Sequence, residues 1–163
     1  MSDYHLVIMI TRFVYEYFNN KEALLKELTR IGYIKLANEI EEARDKFTDA
    51  AKQLEAMWMA YWQFAFKKKE LYQLMFGVSM NCCSMQKDKE AEAPALLITT
   101  AIRHLMKGKT LTEEEVSRRY YTFWSVVHGL VSINLVNRGA SDEINKLVLK
   151  DAISGIIAAM KQR

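Results

Sequence analysis

The sequence predicts an all-α fold, and three observations lead to that prediction. The chain has 163 residues but only one proline and six glycines, so few turn signals interrupt it. Half of its residues are hydrophobic, which is enough for one compact domain with a substantial core. Ala, Leu, Lys, Glu and Met are frequent, and all five are good helix formers. Long helices are therefore expected rather than many short strands.

The first half of the chain predicts three helices, preceded by the end of a short one at residues 13–18. The first of the three runs from about residue 21 to 44 and the second from 48 to 68, each with apolar residues at helical spacing. The third is short and ends at Gly77, because glycine suits a helix C-terminus. Residues 78–92 combine polar and charged side chains and predict a mobile loop.

Glycines and the single proline mark helix ends in the second half. Pro94 suits the first turn of a helix over residues 94–107, and Gly108 is expected to end it. Gly139 is the expected C-cap of the helix that follows. It lies in a tight connection that leads to the last helix.

A capping box predicts the start of the longest helix of this half. Thr112 and Glu115 have the required spacing, and the helix is expected to continue to about Asn137. Its apolar positions follow a three-four spacing. The last helix is expected over about residues 142–161, with Ser141 as its N-cap.

Composition excludes several classes of function. The net charge is +3, with both signs spread along the chain, which indicates ordinary solubility and gives no evidence of a nucleic-acid surface. No stretch reaches the roughly 18 apolar residues of a membrane span, and no secretory signal is present, so the cytoplasm is the expected location.

The adjacent Cys82 and Cys83 cannot alone form a four-ligand metal site. We expect loop or packing residues, with a redox-sensitive pair as the alternative.

Motifs for catalysis and for cofactor binding are absent from the sequence. The glycines are scattered singly, so no Gly-rich phosphate loop exists. His104 and His128 fall on different predicted helices, without metal-ligand spacing. No serine or cysteine lies in a nucleophile-elbow sequence. We therefore expect no enzyme, no catalytic residue, no metal and no cofactor.

Three stretches resemble TetR-family transcriptional regulators. VYEYFNNKEALL, residues 14–25, resembles the family's junction between the DNA-recognition helix and the fourth helix. The residues in register with that pattern are Tyr15, Tyr17, Phe18, Lys21, Glu22 and Leu24. YWQFAFKKKELYQLMFG, residues 61–77, is similar to a segment in one group of the family's ligand-binding domains. FWSVVHG, residues 123–129, resembles the Trp-His-Gly signature of that group.

The resemblance implies a domain division. Residues 20–163 would form a TetR-like helical bundle for ligand binding and dimerisation, and residues 1–19 a remnant of the helix-turn-helix. A full reader head of three helices needs about 30 to 40 residues, whereas thirteen precede Val14. The head is therefore expected to be truncated here. The alternative is a headless all-α protein that dimerises or binds ligand without binding DNA.

The resemblance also assigns DNA contacts to Tyr15, Tyr17 and Lys21. A lysine and backbone N–H groups at a helix start suit a phosphate. In the alternative interpretation, Tyr17 and Phe18 form a hydrophobic staple with leucines of the next helix.

A pocket for a small apolar or aromatic ligand is expected among the middle helices. Its candidate residues are Trp58, Trp62, Phe66, Met75, Phe76, Met106, Tyr121, Trp124 and His128. Flexible methionines and flat aromatic rings suit bulky apolar ligands. The alternative for each of these residues is that it belongs to an ordinary core.

The last two helices are expected to pair with a second copy of the chain. The candidate interface residues are Val131, Leu135, Ala152, Ile153, Gly155, Ile156 and Ile157. Small residues allow helices to approach closely, and the branched residues supply apolar contact. The alternative is that these faces are used inside the monomer. Together these expectations describe a ligand-responsive, homodimeric TetR-type repressor of operator DNA, with no membrane partner.

Overall fold

The structure, a computed structural model, describes residues 21–77, 89–136 and 139–162. These ranges contain six helices and no strand, which confirms the all-α prediction. In chain order they are α1 (Lys21–Arg44), α2 (Ala50–Lys67), α3 (Lys69–Phe76), α4 (Lys89–Leu105), α5 (Glu113–Leu135) and α6 (Asp142–Gln162).

Side-chain caps define the starts of three helices. Asp49 accepts a hydrogen bond from the Lys52 backbone N–H at 2.9 Å and begins α2. The predicted capping box of α5 is confirmed, with both reciprocal Thr112–Glu115 bonds present. Ser141 Oγ accepts from the Ile144 N–H at 3.4 Å, which agrees with its predicted role as N-cap of α6. Each cap satisfies a backbone donor that the helix itself leaves free.

The predicted start of helix α4 was wrong. Helix α4 begins at Lys89, so residues 89–92 are helical and Pro94 lies inside the helix rather than in its first turn. Lysine, alanine and glutamate are good helix formers, and the two glutamates also suit a helix N-terminus. Pro94 removes only one backbone hydrogen bond from the helix. Residues 78–88, the rest of the predicted loop, lie outside the described residues.

The connection from α5 to α6 differs from its prediction because an asparagine pair organises it. Val136, not Gly139, is the C-cap of α5. The Asn134 carboxamide approaches Gly139 so closely that a Cβ there would collide with it. Asn145, which is buried, donates to Asn134 Oδ1 at 2.6 Å and to the Ala140 carbonyl at 2.9 Å. These bonds join the two helices at their corner.

Helix α2 forms the centre of the bundle and contacts each of the other five helices. Its buried side chains include Leu54, Met57 and Phe64, all fully enclosed. Helix α1 packs against α2, α3 and α4, and α6 packs against α5 and α2. No helix in the described ranges has the length and apolarity needed to cross a lipid bilayer.

Gly32 allows a close approach between α1 and α3. A Cβ at this position would lie 2.6 Å from Met75 Sδ and 3.2 Å from Leu71 Cδ1. The neighbouring Tyr33 hydroxyl donates to the Met75 carbonyl at 3.4 Å. The Met75 side chain therefore fits directly against the backbone of α1.

Candidate functional site

Five aromatic side chains from three helices meet beside the centre of the bundle, and we call them the aromatic cluster. Its members are Tyr61 of α2, Tyr72 and Phe76 of α3, and Trp124 and His128 of α5. The rings of Trp124 and His128 are stacked, with centroids 4.6 Å apart and planes 14° from parallel. Phe76 lies 4.7 Å from the Tyr72 ring and 5.5 Å from the His128 ring.

A continuous chain of hydrogen bonds runs through the aromatic cluster. The Trp124 indole N–H donates to the Tyr61 hydroxyl at 3.1 Å. The Tyr61 and Tyr72 hydroxyls are 3.3 Å apart, and the Tyr72 hydroxyl is 2.5 Å from His128 Nδ1. These contacts pair polar groups that would otherwise be costly to bury. They also link α2, α3 and α5 in one network.

Burial keeps the titratable members of the aromatic cluster uncharged. It raises the pKa of Tyr61 well above that of a free tyrosine, with Tyr72 as the next cause, and it also raises the pKa of Tyr72. Burial lowers the pKa of His128 below its ordinary value of 6.5. Near neutral pH, the two tyrosines and the histidine are therefore neutral hydrogen-bonding groups.

Trp58 supplies a second unusual feature next to the aromatic cluster. Its side chain is fully buried, stacks on Phe123 at 5.4 Å and lies 5.7 Å from the Tyr61 ring. Its indole N–H has no hydrogen-bond acceptor among the described residues. An unpaired buried donor costs about 1–3 kcal/mol, so this group needs a physical account.

The structure brings together part of the predicted pocket. Phe76, Trp124 and His128 belong to the aromatic cluster, and Trp58 adjoins it through Tyr61. Tyr121 lies at its edge, with its ring 6.3 Å from Trp124 and 58% of its surface exposed.

The other predicted pocket residues make contacts outside the aromatic cluster. Trp62 pairs with Phe66, with ring centroids 4.5 Å apart. Met75 fits against α1 at Gly32. Met106 is buried, and its sulfur accepts from Arg119 Nε at 3.0 Å.

Sequence reasoning missed Tyr61, Tyr72 and Arg119. Both tyrosines lie in the segment 61–77 that resembles the family, and a tyrosine brings a hydroxyl that needs a partner when it is buried. Arg119 occupies the buried stripe of α5 between Val116 and Phe123, with 9% of its surface exposed. Its spacing from those two residues was the available signal, but a charged residue is seldom expected on a core stripe.

Two surface clefts lie elsewhere. One runs between α1 and α2, and Glu39, Phe47 and Met59 are among its lining residues. The other lies between α1 and α4 and includes Ile34 and Leu97. None of the predicted pocket residues lines either cleft.

The residues predicted for the dimer interface divide between the core and the surface of the single chain, and the dimer itself stays a prediction. Val131, Ile153 and Ile157 are buried inside the single chain, so they have little surface to offer a partner. Leu135 and Ile156 are partly buried against the same core.

Neither of the two small residues of the predicted interface is fully buried. Ala152 is half-buried and Gly155 is exposed.

A different set of apolar side chains is exposed on α5 and α6, and we call it the exposed apolar face. Its members are Ile133, Val136, Ile144, Leu147 and Val148, each at least 46% exposed. All lie near the corner that joins the two helices. The sequence prediction chose the neighbouring stripe because both stripes of α6 are apolar.

Two glycines on the same helices also face open space. A Cβ at Gly129 or at Gly155 would meet no atom within 4 Å. A glycine inside a helix costs roughly 1 kcal/mol relative to alanine, and neither glycine is needed for packing within the single chain.

The residues predicted to contact DNA are described only in part. Tyr15 and Tyr17 lie outside the described residues. Lys21 is the first residue of α1, and its side chain is exposed.

Comparison with known proteins identifies the class to which this fold belongs. Residues 54–146 match the family model of the tetracyclin repressor-like, C-terminal domain. The match covers more than half of the chain and includes all five residues of the aromatic cluster. The chain therefore belongs to the TetR-like C-terminal domain family.

A solved structure shows the same fold. It is described as the structure of a protein with unknown function from Rhodococcus sp. RHA1, and it superposes with a TM-score of 0.67 at 20% sequence identity. The alignment covers 88% of this chain and 72% of that one. No curated protein matches the sequence.

Proposed function

We propose that this chain is the ligand-binding and dimerisation part of a TetR-type transcriptional regulator, acting as a ligand-responsive repressor. Residues 1–19 would belong to its helix-turn-helix, with Tyr15, Tyr17 and Lys21 at the contact with operator DNA. The stack of Trp124 on His128, followed by Gly129, supports assignment to the Trp-His-Gly group of the family.

One observation supports this proposal most directly: α5 contributes to both candidate surfaces. Near its middle it supplies Trp124 and His128 to the aromatic cluster. Near its end it supplies Ile133 and Val136 to the exposed apolar face. A ligand that moves α5 would therefore change the geometry of a dimer.

The dimer proposal rests on the exposed apolar face. Contiguous exposed apolar surface is uncommon on a monomer and marks contact sites. A two-fold dimer would pair this face with itself. Gly129 and Gly155 would then lie where a helix of the second copy comes close, which would account for glycines that the single chain does not need.

Coupling to DNA would pass through α3 and α1. Helix α3 carries Tyr72 and Phe76 of the aromatic cluster, and its Met75 contacts α1 at Gly32. A ligand that displaces Phe76 would shift Met75 and thereby tilt α1, at whose start Lys21 lies. Such a ligand changes operator affinity only by its preference for one of the two arrangements.

An uncharged fluorescent dye tests the ligand site. We expect Nile red to bind the wild-type protein with increased fluorescence, and Trp124→Leu to weaken this binding about tenfold or more. The matched control is Trp62→Leu, because Trp62 is a buried tryptophan that contacts Phe66 rather than the aromatic cluster. Circular dichroism would verify that both variants fold. Equal dye affinity in the wild type and in the folded Trp124→Leu variant would contradict the proposed site.

A further inference from the structure

The direction of the hydrogen bonds in the aromatic cluster can be deduced from its first member. A tryptophan indole can only donate, so the Tyr61 oxygen accepts from Trp124. The Tyr61 hydroxyl proton is then available for Tyr72, whose oxygen is 3.3 Å away. The Tyr72 proton in turn is donated to His128 Nδ1. In this arrangement every hydroxyl proton has an acceptor.

The opposite arrangement leaves a buried proton without a partner. If His128 Nδ1 donated to Tyr72, each of the two tyrosine hydroxyls would have only the other as an acceptor among the described residues, so one of their two protons would stay unpaired. Both side chains are buried, with Tyr61 2% and Tyr72 1% exposed. A buried unpaired hydroxyl is costly, so the first direction is preferred.

This direction determines the tautomer of His128. A neutral histidine carries one ring proton, and Nδ1 is occupied as an acceptor, so the proton is on Nε2. His128 is half-buried, and its Nε2 has no hydrogen-bond partner among the residues that the structure describes. The network therefore ends in an N–H donor next to the rings of Trp124 and Phe76.

The Trp58 side chain supplies a second hydrogen-bond donor without a partner. The fully buried indole N–H of Trp58 has no acceptor in the part of the chain that the structure describes, and Trp58 contacts Tyr61 of the aromatic cluster. Both groups that lack a partner are donors, and both belong to aromatic surroundings. A ligand complementary to them has flat apolar area and a hydrogen-bond acceptor.

We infer that the ligand is an uncharged, flat aromatic molecule with a carbonyl-type acceptor that receives the hydrogen bond of His128 Nε2–H. This inference rests on the proposed ligand-binding function and specifies its chemistry. An anionic ligand is disfavoured because the aromatic cluster, as described, contains no charged group to neutralise it.

A pair of probes with nearly the same shape tests the inference. Acetylnaphthalene and ethylnaphthalene, substituted at the same ring position, differ by a carbonyl in place of a methylene. Their dissociation constants would be measured by quenching of tryptophan fluorescence in the wild type and in His128→Phe, which keeps a ring but removes the donor. Comparing the ratio of the two constants between the wild type and His128→Phe cancels the difference in hydrophobicity between the probes.

We expect His128→Phe to shift this ratio about five- to tenfold against acetylnaphthalene, the usual net effect of one hydrogen bond. Trp62→Phe, outside the aromatic cluster, should leave the ratio unchanged. If both probes bind and the ratio is the same in wild type and His128→Phe, the inference is overturned while the ligand site stands. If neither probe binds the wild type, the proposed ligand site is refuted, and the inference with it.

Nitrogen NMR of the ligand-free protein tests the tautomer separately. We expect Nδ1 of His128 to have the shift of an unprotonated ring nitrogen and Nε2 that of a protonated one, with the signal assigned by its loss in His128→Asn. In Tyr72→Phe, which removes the donor to Nδ1, the shifts should move towards a mixture of tautomers. A proton on Nδ1 in the wild type would overturn the deduced direction.

Discussion

The aromatic cluster and the exposed apolar face both include residues of α5, but they are opposite kinds of surface. In the aromatic cluster, hydrogen bonds connect the Trp124 indole, the two tyrosine hydroxyls and His128 Nδ1 across three helices. The exposed apolar face has no polar network, and its side chains remain open to solvent. In the proposed function, the first surface binds a small molecule. The second gains most from burial against a large surface, such as a second copy of the chain.

The largest effect is expected from a charge on the exposed apolar face. Val148→Glu would bury one carboxylate of each copy in the apolar interface of the proposed dimer, and burying an unpaired charge costs several kcal/mol. We expect the dimer dissociation constant to rise about a hundredfold or more, as measured by sedimentation equilibrium. Gln63→Glu adds a similar charge at an exposed position of α2 and should leave association unchanged. An equally strong dimer in Val148→Glu would exclude this face as the interface.

A smaller effect is expected when the network of the aromatic cluster is cut. Tyr72→Phe removes the hydroxyl that joins Tyr61 to His128, so the Tyr61 hydroxyl proton and His128 Nδ1 lose their partner. We expect the free energy of unfolding to fall by about 1–3 kcal/mol in urea titrations at equal protein concentration. Tyr121→Phe removes a hydroxyl from an exposed ring and should change stability by less than about 0.5 kcal/mol. Equal effects of the two substitutions would show that the network adds no stability.

Two glycine-to-alanine substitutions compare a glycine that faces open space with one that is packed against a neighbouring helix. In the monomeric Val148→Glu background, Gly155→Ala should stabilise the fold by about 0.5–1 kcal/mol, because its Cβ meets open space. Gly32→Ala should destabilise it by about 1 kcal/mol, because Met75 must move. Thermal unfolding of both variants measures the difference. The same sign for both would contradict the packing described at Gly32.

The smallest effect is expected from the protonation of His128. Burial lowers its folded pKa below the unfolded value, so between these two values the unfolded state binds more protons. The contribution of neutral His128 to the free energy of unfolding is therefore complete above about pH 6.5 and is lost as the pH falls towards the folded pKa. Urea unfolding between pH ~7.5 and ~5.5 should show a smaller loss in His128→Asn than in the wild type. An identical loss in both proteins would assign the pH dependence to other groups.

Helix positions were predictable where local chemistry decides them. The Thr112–Glu115 capping box and the end of α3 at Gly77 were read correctly from spacing and residue type. The start of α4 was missed because Pro94 was given the first turn, whereas the residues before it are good helix formers. Proline is tolerated at several positions near the start of a helix, so the position of Pro94 alone does not determine where the helix begins.

The candidate site was only half predictable. Trp124 and His128 were identified by their resemblance to a family signature, and the structure places them in the aromatic cluster. Trp62 was chosen for the same apolar character, yet it contacts Phe66 elsewhere. An apolar residue on a helix can face any of its neighbours, and only the positions of the other helices decide which.

The sequence by itself determined the helical class, most helix limits and the presence of aromatic residues at the middle of the chain. These follow from local propensity, capping and spacing, which act over a few residues. Tertiary structure alone decided which stripe of α6 is buried, because Ile153 and Val148 are equally apolar and only packing against α2 and α5 separates them. It also decided the hydrogen-bond direction from Trp124 to His128, since that order depends on atoms brought together from three helices.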